Sequence, residues 1–188
     1  MNKKGLKIHI TGASGSGTTT LGRAISEKYG IKHFDTDDFY WEKTKVPFTV
    51  KRDRGEAAEL MKKNLESNDS WVISGSLCEW GDFTVKYYDF IIFLYLDQEI
   101  RIKRLREREI KSFGKKAISK GGKIYENNRK FFEWAKKYDT AGLDIRSLKR
   151  HEAWLKKSNL PVLRIEGEVT IEEKLKLVDN YLIENNLI

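Results

Sequence analysis

The feature that most constrains the fold is a glycine-rich segment, Gly12-Ala13-Ser14-Gly15-Ser16-Gly17-Thr18-Thr19, near the start of the chain. It follows an apolar run at 6–11 that is typical of a buried strand. It precedes a stretch at 18–29 whose apolar residues recur at helical spacing. Glycine adopts backbone conformations that other residues avoid, so this segment can turn tightly from a strand into a helix. A strand, a glycine-rich turn and a helix in succession predict an α/β protein.

The same segment predicts a binding site for phosphate groups. It matches the phosphate-loop spacing G-x-x-x-x-G-K-[ST] except that Thr18 stands at the position of the usual lysine. In such a loop successive backbone N–H groups converge, and the following helix directs its positive end into the same space. Thr19 occupies the position whose hydroxyl binds Mg²⁺ beside the β- and γ-phosphates. We therefore expect Gly12 to Thr19 to bind a nucleotide; a turn that binds nothing is the alternative.

Apolar runs alternate with amphipathic stretches along the rest of the chain. Strands are predicted at 6–11, 31–34, 71–74, 90–96 and 162–165, with helices between them, as at 18–29 and 54–66. Continuous apolar strands separated by helices indicate a parallel sheet that is covered by helices on both faces. We expect 188 residues to form one domain, 1–188. Residues 112–158 break the alternation and are predicted to form a helical, lid-like insertion.

Composition limits the classes of partner and the location. The 36 Lys and Arg residues against 28 Asp and Glu give a net charge of +8, which suits ligands that carry phosphates. Cys78 is the only cysteine, so an internal disulfide is excluded. The longest apolar run, 90–96, is too short to cross a bilayer, and the first residues lack the apolar core of a signal peptide. We expect a cytoplasmic protein with no membrane partner.

Three carboxylates follow the second predicted strand, at the sheet edge where ligands bind in parallel α/β proteins. Asp35, Asp37 and Asp38 lie within four positions of one another. Carboxylates at this edge accept a proton from an attacking hydroxyl or hold Mg²⁺ through water. Aspartate also caps turns and short helices, so a structural role for Asp35 or Asp37 stays open. We expect the cluster as a whole to be functional.

Basic residues are candidates for the charge that the phosphate loop lacks. Arg104 and Arg108 recur at helical spacing and lead into the predicted lid, where arginines stabilise a transferred phosphoryl group. A solvated basic helix face is the alternative. Arg52 is a candidate contact for an anionic acceptor, or else an exposed surface charge. Gly75 closes the third strand, where it either allows close approach of an acceptor or forms a turn.

Together these motifs resemble the adenylate kinase-like P-loop kinases. Asp37-Asp38-Phe39-Tyr40 is similar to the Asp-x-Phe-Tyr segment of uridine kinases, and this resemblance assigns the role of general base to Asp37. Asp35 and Asp37 have the Asp-x-Asp spacing of shikimate kinases. Arg104 and Arg108, followed by Phe113-Gly114, are similar to the lid-entry arginines of nucleoside monophosphate kinases. The chain most resembles a bacterial branch that shares Thr at the lysine position and a segment like Arg146-Ser147.

The resemblance implies a three-layer P-loop NTPase fold with a five-stranded parallel sheet in the order 2-3-1-4-5, and ATP and Mg²⁺ as cofactors. The leading interpretation is an ATP-dependent phosphotransferase acting on a nucleoside, a nucleotide or another small hydroxylated or phosphorylated acceptor. Two alternatives stay open. One is a nucleotide-binding protein with little or no kinase activity, which Thr18 suggests. The other is nucleic-acid binding through the basic lid, for which the sequence has no recognisable motif.

In the leading interpretation the roles divide between the loop, the acidic cluster and the arginines. Thr19 and an aspartate hold Mg²⁺, while the backbone of the loop holds the donor. Asp37, Arg104 and Arg108 form the catalytic set. Asp35, Arg52 and Gly75 bind the acceptor.

Overall fold

The computed structural model describes residues 5–45 and 47–188. Within them lies a five-stranded sheet in the order β2-β3-β1-β4-β5, with all neighbouring strands parallel. The strands are β1 (Lys7–Gly12), β2 (Lys32–Asp35), β3 (Trp71–Ser74), β4 (Phe90–Tyr95) and β5 (Val162–Glu166). The predicted sheet and its order are confirmed. Because the strands are parallel, their carboxyl ends meet at one edge of the sheet.

In the described parts of the chain, eight α-helices connect or flank these strands. They are α1 (Thr18–Tyr29), α2 (Thr36–Tyr40), α3 (Arg54–Glu66), α4 (Gln98–Phe113), α5 (Lys115–Ile118), α6 (Tyr125–Lys136), α7 (Leu148–Ser158) and α8 (Ile171–Glu184). A 3-10 helix, Asp82–Tyr87, precedes β4. None of the described helices has both the length and the apolar character that crossing a bilayer requires.

The alternation of side chains along the strands builds two apolar layers. Ile8 and Ile10 of β1 face α1 and α8, whereas Ile91 and Phe93 of β4 face the opposite layer. On that opposite side α3 and α7 supply buried side chains, Trp154 of α7 among them. Helices therefore cover both faces of the sheet, as the continuous apolar strands predict.

The predicted insertion, 112–158, divides into two parts. Its earlier part contains α5 and α6, and α6 packs its aromatic residues on Ile102 and Leu105 of α4, apart from the main core. Its later part is α7, whose Trp154 and Leu155 are buried against the sheet. The single domain and the lid role of 112–158 stay predictions, and α7 occupies a place in the core.

The last helix shows how the local sequence determines an element boundary. Thr170 accepts a hydrogen bond from the backbone of Glu173, whose side chain accepts one in return from Thr170 N–H, so α8 begins with a capping box. Val178 and Leu182 bury one face of α8 beside Leu21 and Ile25 of α1. The start of α8 is thereby placed at the sheet edge where α1 also starts.

Candidate functional site

The glycine-rich segment forms the turn between β1 and α1, and its backbone needs glycine at defined positions. Gly15 and Gly17 have φ values of +85° and +99°, a left-handed region that other residues rarely adopt. At Gly12 an added Cβ would lie 2.4 Å from the carbonyl oxygen of Leu94 and 2.8 Å from Ser16 Oγ. The loop is therefore closed by direct backbone contact with β4.

Some polar groups of this loop have no hydrogen-bond partner within the described parts of the chain. Gly17 is the N-cap of α1 and provides no side chain to accept from the first N–H groups of the helix. The hydroxyl of Ser16 is buried and has no hydrogen-bond partner among residues 5–45 and 47–188. Native structures rarely leave such groups unpaired. A bound oxyanion would provide the missing acceptors, which is the chemistry that this motif predicts.

A hydrogen bond connects the loop to the acidic cluster. Thr19 Oγ1 donates to Asp35 Oδ2 at 2.8 Å. The other carboxylate oxygen of Asp35 accepts from the backbone N–H of Asp37 at 3.0 Å and so caps α2. Asp35 thus has a structural role as a cap and also contacts the hydroxyl that the motif assigns to Mg²⁺.

These oxygen atoms suit a magnesium ion that is bound together with phosphates. Mg²⁺ prefers hard oxygen donors, and nucleotide sites supply it with only one or two carboxylates. The Thr19 hydroxyl and the Asp35 carboxylate provide such a pair. Among the residues that the structure describes, no group of three or more His, Cys, Asp or Glu side chains is arranged to hold a metal. The residues fit Mg²⁺ held jointly with a nucleotide.

Asp37 lies in the first turn of α2, beside Asp35, at the open side of this edge. Burial of its carboxylate among the surrounding groups, followed by the negative charge of Asp35, raises the pKa of Asp37 above the ordinary aspartate value. Arg146, a hydrogen bond from Trp41 and Arg108 act in the opposite direction. The carboxylate is consequently a stronger proton acceptor than an isolated aspartate. Asp37 keeps access to solvent although many groups surround its carboxylate. Asp38, the next residue, is also exposed and acts electrostatically on His33.

Arg146 joins the phosphate loop to the acidic cluster from a third direction. It lies between α6 and α7, its Nη2 donates to Ser14 Oγ at 3.1 Å, and its guanidinium stacks 4.5 Å from the centre of the Trp134 ring. Its positive charge also reaches Asp37. Burial lowers the pKa of Arg146, but an arginine stays protonated in proteins. Arg146 is not among the site residues that the sequence predicts, where it belongs only to the segment shared with similar bacterial proteins.

Comparison with known proteins agrees with this geometry. Residues 8–130 match the family model described as AAA domain, which includes the phosphate loop and the acidic cluster. The chain belongs to this family. Within the P-loop proteins it is adenylate kinase-like, as its motifs predict, because its relatives include cytidylate and shikimate kinases.

Several known proteins are similar to this chain in sequence or in fold. The uncharacterized protein YqaC of Bacillus subtilis (strain 168) is 43% identical over 95% of this chain and 98% of its own length. Cytidylate kinase of Archaeoglobus fulgidus is 31% identical over 55% of this chain and 62% of its own length. Shikimate kinase of Bacillus cereus (strain G9842) is 29% identical over 68% and 84%, respectively. A solved shikimate kinase from Aquifex aeolicus shares the fold, with a TM-score of 0.56, 18% identity, and coverage of 97% of this chain and 99% of that chain.

The two predicted catalytic arginines of this AAA-domain chain lie in different surroundings. Arg108 pairs with Glu109 at 3.1 Å, and its positive charge also acts on Asp37. Arg104 pairs with Glu168 at 3.1 Å, in the loop between β5 and α8. Arg104 therefore lies toward the start of α8, and the structure brings Arg108 and Arg146 toward the acidic cluster.

The two remaining predicted contacts, Arg52 and Gly75, support α2. Arg52 donates to the carbonyl of Phe39 at 3.0 Å and pairs with Glu42 at 3.2 Å. Gly75 has a φ of +118°, and an added Cβ there would lie 1.9 Å from Thr36 Oγ1. Both residues therefore hold in place the helix that carries Asp37. Contact of either with an acceptor stays a prediction.

Proposed function

We propose that the protein is an ATP-dependent phosphotransferase that uses Mg²⁺ and acts on a small hydroxylated or phosphorylated acceptor. One observation carries the proposal. The 2.8 Å hydrogen bond from Thr19 to Asp35 connects the loop that binds phosphates to the helix that presents Asp37. A phosphate donor bound in the loop would lie near a carboxylate of raised pKa, which supports the proposal.

The donor is held by the backbone of the loop, Gly12 to Thr19. Thr19 and Asp35 hold Mg²⁺, which when bound neutralises phosphate charge. Asp37 accepts the proton of the acceptor hydroxyl. At the same time the hydroxyl oxygen of the acceptor forms a bond to the γ-phosphorus, and the bond from that phosphorus to ADP breaks. A phosphate acceptor is already ionised, so for such an acceptor Asp37 orients the nucleophile rather than deprotonating it.

Positive charge for the transferred group comes from arginines that surround the acidic cluster. Arg146 contacts the loop through Ser14 and acts on Asp37, so it lies between donor and acceptor. Arg108 acts on Asp37 from α4, at the entrance to the segment formed by α5 and α6. We assign the lid role to that segment, whose closure brings arginine charge to the phosphates and excludes water.

The test measures ADP release from ATP·Mg²⁺ with a panel that includes CMP, shikimate, nucleosides and other small polyols. Asp37→Asn is expected to lower turnover of a hydroxyl acceptor about a hundredfold or more, the usual contribution of a general base. Asp38→Asn is the matched control, because Asp38 is the adjacent exposed aspartate and acts on His33; its turnover should stay within about threefold of wild type. Equal loss in both variants would contradict the role of Asp37.

A nucleotide-binding protein with little or no kinase activity is the second candidate, and Thr18 favours it. The position that normally provides a lysine to the β- and γ-phosphates is an uncharged threonine. Calorimetric binding of ATP·Mg²⁺ without ADP release for any acceptor would support this candidate. The absence of ATP binding would refute both.

A further inference from the structure

The phosphate loop lacks the cation that its motif normally carries, but the structure places another one beside it. Lys174 lies in the first turn of α8. Its Nζ is 3.8 Å from the point that a Cβ on Gly17 would occupy, and it is the only heavy atom within 4 Å of that point, apart from the residues next to Gly17, in the described chain. Gly17 is the residue directly before Thr18. An ammonium group from the last helix thus lies at the start of α1.

The surroundings of Lys174 give its charge no counterion. Lys174 is 7% exposed, so its side chain is almost entirely removed from solvent. Within residues 5–45 and 47–188 its Nζ forms no hydrogen bond and no ion pair. The nearby charge of Arg104 is also positive, and Arg104 itself is paired with Glu168. The Nζ atom itself is not fully enclosed, so the charge lies at the surface beside the loop, at the end of a buried side chain.

Two further features make this position unfavourable for a cation unless an anion is bound. The first turn of a helix has a positive potential, which favours acidic residues such as Glu172 and Glu173 over lysine. The N-terminus of α1 contributes a second positive potential at the same place. Burial and Arg104 accordingly lower the pKa of Lys174. A polyanion in the loop would relieve all of these costs together.

We propose that Lys174 is the phosphate-binding cation of this site and takes over the function of the absent loop lysine at position 18. The ligand is the phosphate chain of a nucleoside triphosphate. This inference rests on the proposed function only in that ATP is its ligand, since it concerns binding and not transfer. The unpartnered hydroxyl of Ser16 in the same loop is independent support for an oxyanion there.

The experiment measures affinity for ATP and for inorganic tripolyphosphate by calorimetry in wild type, Lys174→Met, Thr18→Lys and the double variant. Lys176→Met is the matched control, because Lys176 is an exposed lysine on the same helix. Lys174→Met is expected to weaken both ligands at least about tenfold, the value of a charge-assisted contact. Thr18→Lys in the Lys174→Met background is expected to restore most of that loss, and Lys176→Met should change neither affinity more than about twofold.

A second readout separates this role from a structural one. Without ligand, Lys174→Met is expected to melt at the same temperature as wild type or higher, because it removes a charge that has no counterion and lies near Arg104 and two helix N-termini. A lower melting temperature together with unchanged affinities would overturn the proposal. A loss of affinity for ATP alone, with the affinity for tripolyphosphate unaffected, would also overturn it, because Lys174 would then contact the base or ribose. So would a failure of Thr18→Lys to restore affinity in the Lys174→Met background. If wild type binds neither ligand, the proposed function fails as well; if wild type binds both and Lys174→Met binds them equally, only this inference fails.

Discussion

Two buried histidines make the stability of this protein sensitive to mild acid. His151 of α7 bonds Ser76 Oγ through Nε2 at 2.9 Å and Tyr138 through Nδ1 at 2.8 Å. His9 of β1 bonds the carbonyl of Gly75 through Nε2 at 2.8 Å, and its Nδ1 has no partner among the described residues. Both rings are fully buried. Burial lowers the pKa of His9 to about 4 and the pKa of His151 to about 3.

The sign of the effect follows from these two values. In the unfolded chain both rings bind a proton below pH 6.5, whereas the folded protein keeps them neutral until much lower pH. The unfolded state therefore binds more protons, and the free energy of unfolding falls as pH drops below 6.5. Between pH 8 and pH 5 each histidine removes about 2 kcal/mol of stability, or about 4 kcal/mol for the pair. That is a large part of the stability of an ordinary domain.

Urea unfolding at pH 8, 7, 6 and 5 measures the effect, with His151→Gln as the variant. Glutamine lowers stability at every pH by removing packing and hydrogen bonds, so the informative quantity is each protein's change between pH 8 and pH 5. We expect His151→Gln to lose about 2 kcal/mol less than wild type over this interval. The half-buried His33 titrates in both proteins and cancels in the comparison. An equal pH dependence in the two proteins would show that His151 is protonated in the folded state and would refute the reasoning.

Two further predictions concern the acidic cluster. For a hydroxyl acceptor, activity should fall with acid through a pKa above the ordinary aspartate value, because Asp37 must be ionised and burial and Asp35 raise its pKa; a pH–rate profile that stays flat down to pH 4 would contradict this. Arg146→Met should move that acid limb to still higher pH, because the charge of Arg146 lowers the pKa of Asp37, and should reduce turnover at least about tenfold. Arg146→Lys keeps the charge but loses the planar stacking on Trp134, so it should restore the acid limb more fully than the turnover; matching recovery of both would argue against a positioning role.

The elements that were predicted well are those that local patterns determine. The helix expected at 18–29 is observed as α1 (Thr18–Tyr29), since Gly17 and Gly30 bound it with positive φ values. The helix expected at 54–66 is α3 (Arg54–Glu66), which Asp53 caps. The sheet followed from continuous apolar strands and from the family resemblance. Local spacing was sufficient for the two helices, whereas the order of the strands came from the resemblance.

The parts of the site that the sequence did not reveal depend on contacts between distant residues. Arg146 reaches Ser14 across 132 positions of the chain. Lys174 reaches Gly17 only because α8 packs beside α1. Asp35 caps α2 and also accepts a hydrogen bond from Thr19, so the structural role and the contact with the phosphate loop occur together. The local spacing of residues does not predict contacts between residues that are far apart in the chain.

The position of Lys174 has a consequence for how the protein acquires its ligand during synthesis. The glycine-rich loop lies close to the amino end of the chain, whereas the ammonium group beside it is part of the last helix. A ribosome-bound chain that has made the loop and the first four strands would still lack this charge. Such a chain would bind nucleotide at least about tenfold more weakly, so full affinity would require that α8 has left the exit tunnel and docked beside α1.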